Sequence, residues 1–205
     1  MDPKWLQWTK TLHSIAQNGL SFAQDLYDRE RYTQLQRVAA EIMSAYSGTD
    51  FTQVLDLFQG QQGYATPKVE VRAAVFRNDE ILMVLEREDD RWSLPGGWAD
   101  VGQTPSEVAV RETLEESGYR TRAVRLLAVY DRDRQGHPPL PFHVYKIFLQ
   151  CDLLDMNPMP NAECGDAAFF QEGKLPELCT TRVTQAEIAR LFQHLHDPLL
   201  PADFD

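Results

Sequence analysis

Two hydrophobic periods divide the chain. Up to about residue 60 the apolar positions recur at helical spacing. Trp5, Trp8, Leu12, Ile15 and Ala16 form one run, and Tyr27, Arg31, Leu35, Val38, Ile42, Met43 and Tyr46 a longer second one. The segment SGTD interrupts it, and Asp50 is placed to cap a short helix carrying Val54, Leu55 and Phe58. QGQQGYATP, residues 59–67, has the glycines, glutamines and proline of a linker. From Val69 onward the period shortens. VEVRAAVF and ILMVLER are β-rich runs joined by RNDE, the pattern of a hairpin. TRAVRLLAVYDR, FHVYKIFLQCDL and AAFFQ read as further strands, and the polar, proline-rich DRQGHPPLP separates the first two. TQAEIARLFQHLH is an amphipathic helix with Ile188, Leu191, Phe192 and Leu195 on one face.

One more helix lies between the strands. Thr104 is its N-cap, Pro105 fits the first turn, Glu107 completes a capping box and Gly118 is a natural stop. The expected organisation is an all-helical module over residues 1–63 and a second domain over 64–205. In the second domain helices pack on a sheet, in an α/β or α+β arrangement. About 60 helical residues bury little core by themselves, so the module is expected to pack on the second domain or on another copy of itself.

Charge and composition narrow the function. Twenty Lys and Arg against 31 Asp and Glu give a net charge of −11, which argues against broad binding to a nucleic acid backbone. Cys151, Cys164 and Cys179 are odd in number and form no C-x-x-C pair, so neither a disulfide framework nor a zinc site is indicated. No run of about 18 apolar residues and no basic-then-apolar N-terminus occurs. The expectation is a cytoplasmic protein with no membrane association.

The capped helix carries an arrangement that local physics disfavours. Glu112, Glu115 and Glu116 crowd its last turns. Their mutual repulsion is roughly 0.2–0.5 kcal/mol per pair on an open helix surface, and the helix C-terminus disfavours negative charge by a further ~0.3–1 kcal/mol. In a cleft a pair ~4 Å apart would repel by about 4 kcal/mol. Arg111 offsets part of this and cannot neutralise three anions, so the group must take up protons or bind a hard cation. Val110 and Leu114 point away from the glutamates and are the expected core contacts. Oxygen ligands of this kind favour Mg²⁺, Mn²⁺ or Ca²⁺. Pro95, Gly96 and Gly97 are expected to form a tight turn just before the helix, where backbone can approach a ligand closely. Carboxylates, cations and a glycine-lined approach suit hydrolysis of a phosphoanhydride.

Gly97, Gln103 and RETLEESGY at the spacing found here resemble the Nudix box, G-x5-E-x7-R-E-U-x-E-E-x-G-U, with U an apolar residue. Gln103 replaces the Glu of that pattern, Thr113 occupies a U position and Tyr119 fills the last. The resemblance implies a mixed sheet between helices and metal binding by Glu112, Glu115, Glu116 and the Gly97 carbonyl. It also implies that Arg111 orients the glutamates, with Mg²⁺ or Mn²⁺ as cofactor and Glu112 a candidate base. Glu163 in NAECGDAAFF is a candidate base or extra ligand from a later loop. The helical leader, SLPGGWADVG, PFHVYKIF and AAFF further resemble the branch that contains CDP-choline and ADP-ribose pyrophosphatases. That branch implies a homodimer and cleavage of a nucleoside diphosphate joined to a second group. An RNA-processing hydrolase, either a 5′-end pyrophosphohydrolase or a 3′-5′ exonuclease, and a non-catalytic nucleotide sensor are the competing readings. Intact glutamates count against the sensor.

Trp92 and Trp98 flank the glycines. Either could stack on a base, although Trp92 fits packing better. His137 and His143 read as surface residues. Arg132 and Arg134 meet a phosphate or water equally well.

Overall fold

A computed structural model describes residues 2–159 and 166–205. These fall into two compact units, one formed by the residues up to Pro67 with Pro139–His143, the other by Lys68–Pro138 with Val144–Asp205.

The first unit is a three-helix module: α1 (Lys4–Phe22), α2 (Leu26–Ser47) and α3 (Phe51–Gln59). Asp25 caps α2 by accepting from the Tyr27 N–H, and Asp50 caps α3 by accepting from Thr52 and Gln53. Gly48 closes α2 with φ +73°. The core is small: Leu6, Ala39, Ala40, Met43, Val54 and Phe58. The stripe that α1 buries is Leu6, Thr9, His13, Ala16 and Gln17. Of the residues at helical spacing, Trp8 and Ile15 are 59% and 48% exposed, and Tyr27 and Tyr46 are exposed as well.

The second unit is a mixed eight-stranded sheet with a helix on each face. Its elements in chain order are β1 (Lys68–Arg77), β2 (Glu80–Glu86), β3 (Arg91–Ser93), β4 (Gly96–Trp98), α4 (Pro105–Ser117), β5 (Thr121–Asp131), β6 (Val144–Leu153), β7 (Ala167–Gln171), α5 (Gln185–His196) and β8 (Asp203–Phe204). The strand order is β3-β2-β1-β6-β5-β8, with β4 also paired to β1 and β7 to β2. β1 runs parallel to β6 over eight residue pairs, and β5 runs antiparallel to β6 through two register shifts. The β1–β2 hairpin turns through Asn78 and Asp79, both at positive φ, as a tight hairpin turn requires.

Alternation along β1 separates two cores. Val71, Ala73 and Val75 meet Val108 and Ala109 of α4, while Ala74 lies in the cluster with Ile188, Leu191 and Phe192 of α5. Glu70 and Arg72 share the α5-facing side of β1 with Ala74 and are nevertheless buried. β3, β4 and β8 are two- or three-residue strands without a sequence pattern of their own. Among the described residues no helix is long and apolar enough to cross a membrane.

Candidate active site

The glutamate helix α4 begins as its sequence dictates. The Thr104 side chain accepts from the Glu107 N–H, the Glu107 carboxylate accepts from the Thr104 N–H, and Pro105 occupies the first turn. Gly118 ends it at φ +74°, giving its N–H to the Leu114 carbonyl. The packed side differs from the expected one. Val108, Ala109, Thr113 and Ser117 are buried, whereas Val110 and Leu114 are only partly covered. At ~100° per residue that buried arc also takes in Glu112 and Glu116 and leaves Glu115 and Arg111 along its flank. The helix therefore leans its acidic edge onto the sheet. Thr113 fits an apolar position because its hydroxyl donates back to the Ala109 carbonyl at 2.7 Å.

Gly96 and Gly97, expected in a turn, instead form the strand β4 against β1, with Arg72 opposite Gly96 and Val71 opposite Gly97. Gly96 has φ +145°, and a Cβ there would stand 2.1 Å from the Val71 carbonyl oxygen. Only glycine lets the strand come this close. A Cβ on Gly97 would stand 2.9 Å from Glu112 Oε1, so this backbone and the Glu112 carboxylate are neighbours.

These elements bring the carboxylates together around one strand. The Gly96 N–H donates to Glu116 Oε2 at 2.9 Å. Burial pushes the Glu116 carboxyl up to about 7; the Gly96 N–H and Arg72 oppose the rise, and Glu112 and Glu86 add to it. Arg111 spans the others, 2.9 Å from Glu112 Oε1 and 2.7 Å from Glu115 Oε2. It also donates to Gln103 Oε1, from Nε at 3.3 Å and Nη2 at 3.1 Å. A neutral amide is enough for that contact, which explains how Gln103 serves where a Glu was expected. One guanidinium thus faces two of the three glutamates, while among the described residues no side-chain cation bonds the third, which is largely buried. Such an all-oxygen set, charge-rich and partly desolvated, fits a divalent cation of the magnesium type.

Sequence reasoning missed Glu86. This carboxylate at the end of β2 accepts from Ser93 Oγ at 2.5 Å and pairs with Arg182 at 3.2 Å, and its charge is felt at Glu116. It sits in an acidic run, and nothing in its spacing singles it out. Sequence reasoning also missed a buried ionic layer under β4. Arg72 donates to Glu70 and to the Leu94 carbonyl, while Lys146 lies 4.0 Å from Glu70 and 3.6 Å from Glu187. Burial works against ionisation of Glu70, yet Arg72 and Lys146 outweigh it and hold that carboxyl below its usual range.

Other expectations resolve as follows. Trp92 packs edge-on to Phe170, 4.9 Å between ring centroids. Trp98, next to Gly97, is 49% exposed. His137 is not a surface residue: its ring lies 2.9 Å from Glu187 and 2.8 Å from the Thr180 carbonyl with its side chain fully buried, while His143 is exposed. Arg132 is buried and donates to the carbonyls of Pro138 and Thr181, and Arg134 is exposed beside Asp131. Glu163 lies outside the described residues.

Comparison with known proteins adds to this geometry. Residues 66–192 match the model of the NUDIX domain, and residues 3–58 match a UDP-X-like N-terminal oligomerisation domain. The chain is 46% identical over 202 residues to "Putative ADP-ribose pyrophosphatase YjhB" of Bacillus subtilis (strain 168), covering 98% of this chain and 97% of that one. A crystal structure of UDP-X diphosphatase superposes with a TM-score of 0.63 at 31% identity over 98% of both chains. A crystal structure of an ADP-ribose pyrophosphatase from Streptococcus suis 89-1591 gives a TM-score of 0.62 at 36% identity, covering 68% of this chain and all of that one.

Proposed function

Because this chain belongs to the Nudix family and is a Nudix pyrophosphohydrolase, we propose that it cleaves the phosphoanhydride of a nucleoside diphosphate joined to a second group. ADP-ribose and CDP-choline are the first candidates. Water attacks one phosphorus, the bridging P–O bond breaks, and a nucleoside monophosphate and a phosphorylated second product leave. One observation carries the reading. Glu116 bonds the Gly96 N–H, Glu112 borders Gly97, and Arg111 pairs with Glu112 and Glu115. The relatives named as ADP-ribose pyrophosphatases and the UDP-X diphosphatase structure support the substrate class.

Glu112, Glu115, Glu116 and the Gly97 carbonyl are the groups that would hold Mg²⁺ or Mn²⁺. When bound, the cation supplies charge neutralisation for the diphosphate and acidifies a water. The protein's own groups do the rest. Arg111 keeps Glu112 and Glu115 oriented. The Gly96 N–H fixes Glu116. Glu112, or Glu163 from the later loop, accepts the proton of the attacking water. Exposed Trp98 beside Gly97 offers a face on which a base or sugar can stack.

The helical module of residues 1–63 is the proposed dimerisation element. Its exposed Trp8, Ile15 and Phe22 recur every seven residues and so line one stripe of α1. The matched family description of an oligomerisation domain supports this. A cytoplasmic location is part of the same proposal, in keeping with a soluble nucleotide substrate.

The test is incubation with ADP-ribose, CDP-choline and UDP-linked sugars, with and without Mg²⁺, and identification of the products. Metal-dependent release of a nucleoside monophosphate is the expected result. Binding without turnover would favour a sensor, and release of nucleotides from single-stranded RNA instead would favour a nuclease.

A further inference from the structure

The Leu94–Gly97 segment is held from below by a charged group that has no access to solvent. Arg72 is 1% exposed. Its Nη1 donates to the Leu94 carbonyl at 2.8 Å, its Nε to Glu70 Oε1 at 2.7 Å, and its Nη2 to the same carboxylate. The next residue of β1, Ala73, gives its N–H to the Pro95 carbonyl at 2.8 Å. Two successive residues of one strand thus grip two successive carbonyls. The residues that follow are Gly96, which donates to Glu116, and Gly97, which borders Glu112.

Stability alone does not account for this. Burying a guanidinium and a carboxylate carries a desolvation cost for each ion before their attraction repays it, and apolar residues of similar volume often serve a fold as well or better. The pair is also unevenly matched. Glu70 is shared with Lys146, so its charge is divided between two cations, and the field of Arg72 extends to Glu116 and Glu86. A buried ion pair immediately beneath clustered carboxylates departs from local rules at the place where the proposed chemistry occurs.

We propose that Arg72 is a positioning residue for hydrolysis: by anchoring the Leu94 carbonyl and pairing with Glu70, it sets the distance of the Gly96–Gly97 strand from Glu112 and Glu116. The inference rests on the reading of those glutamates as metal ligands. Arg72 is shut off from solvent. It acts through the strand, so its loss should impair metal engagement and turnover more than substrate affinity.

The test is the double variant Glu70→Gln with Arg72→Met, which removes both charges together and keeps most of the buried volume. Measured with the full chain, its thermal midpoint should stay within a few degrees of wild type. Its kcat should fall by about 10–100-fold, the scale of a ~1 Å misplacement of reacting groups. The Mg²⁺ concentration for half-maximal activation should rise by about fivefold or more, while KM for the nucleotide at saturating Mg²⁺ stays within about threefold. A purely structural pair would leave both kcat and the Mg²⁺ midpoint of the folded variant at wild-type values, and that result overturns the inference. Should the double variant not fold, Arg72→Lys takes its place with the same readouts. It keeps the charge but cannot reach Glu70 and the Leu94 carbonyl together. Wild-type protein inert toward every nucleotide would sink the functional reading and this inference with it. An active wild type and an equally active folded variant would sink this inference alone.

Discussion

The main-chain N–H of Gly96 lies 2.9 Å from a carboxylate oxygen of Glu116, twenty residues further along the chain. This bond joins a strand position too crowded for any side chain to a helix whose acidic edge is turned inward. It holds a buried carboxylate in place through a neutral donor, and the charge of Arg72 reaches that carboxylate without bonding it.

Glu116→Gln keeps an oxygen for the Gly96 N–H and removes the charge. Turnover should fall by at least about 100-fold, the scale of losing a main electrostatic or acid-base contributor. In EDTA the thermal midpoint should equal or exceed that of wild type, since burial penalises the charged form. Turnover near wild type in this variant would locate the chemistry elsewhere.

The two glycines should respond differently to alanine. At Gly96 the new Cβ meets the Val71 carbonyl at 2.1 Å and the Arg72 Cα at 2.9 Å, both fixed backbone, and φ is +145°. Gly96→Ala should lower stability by about 1–3 kcal/mol or more in urea unfolding, and activity with it. At Gly97 the Cβ meets the movable end of Glu112 at 2.9 Å. Gly97→Ala should unfold at a urea concentration close to that of wild type and lose turnover through the displaced carboxylate. Equal destabilisation of the two variants would contradict this placement of Glu112.

His13 ties the helical module to pH. Its ring stacks on Phe58 at 3.9 Å, among the described residues its Nδ1 finds no hydrogen-bond partner, and burial lowers its pKa from 6.5 to about 4. Between those values the unfolded chain holds the proton and the folded chain does not, so stability declines as pH falls from about 6.5 toward 4. Thermal melts at pH 7.5 and 5.0 should show wild type losing more than His13→Leu does. Identical losses would assign the acid sensitivity to other groups.

Trp8→Glu combined with Ile15→Glu places two charges on the exposed stripe of α1. Light scattering should report twice the chain mass for wild type and the single-chain mass for the variant, with unchanged helical circular dichroism. A variant that keeps the doubled mass would exclude this face from the interface.

Much of the fold was legible in the chain. The hairpin at RNDE, the strand AAFFQ and the helix begun by the Thr104 capping box all stand where their residues placed them. The hairpin and the helix are fixed by interactions within a few residues, and the strand by a β-rich run of its own, all of which the sequence displays. β3, β4 and β8 were not legible, because strands this short exist only through the partners they pair with. The same holds for the helical module. Its spacing announced helices and did not say that Trp8 and Ile15 would face out while His13 and Gln17 faced in.

The candidate site divides along the same line. The spacing of Arg111, Glu112, Glu115 and Glu116 settled which residues share one side of α4, since a helix presents residues three and four apart on one side. Which of them is buried was decided by tertiary contacts. The rotation of α4 on the sheet, the Gly96 N–H opposite Glu116, and the Arg72, Glu70 and Lys146 layer beneath all bring together residues distant in sequence. Local spacing carries no record of such meetings, because they arise only when strand pairing and the packing of α4 close the core around them.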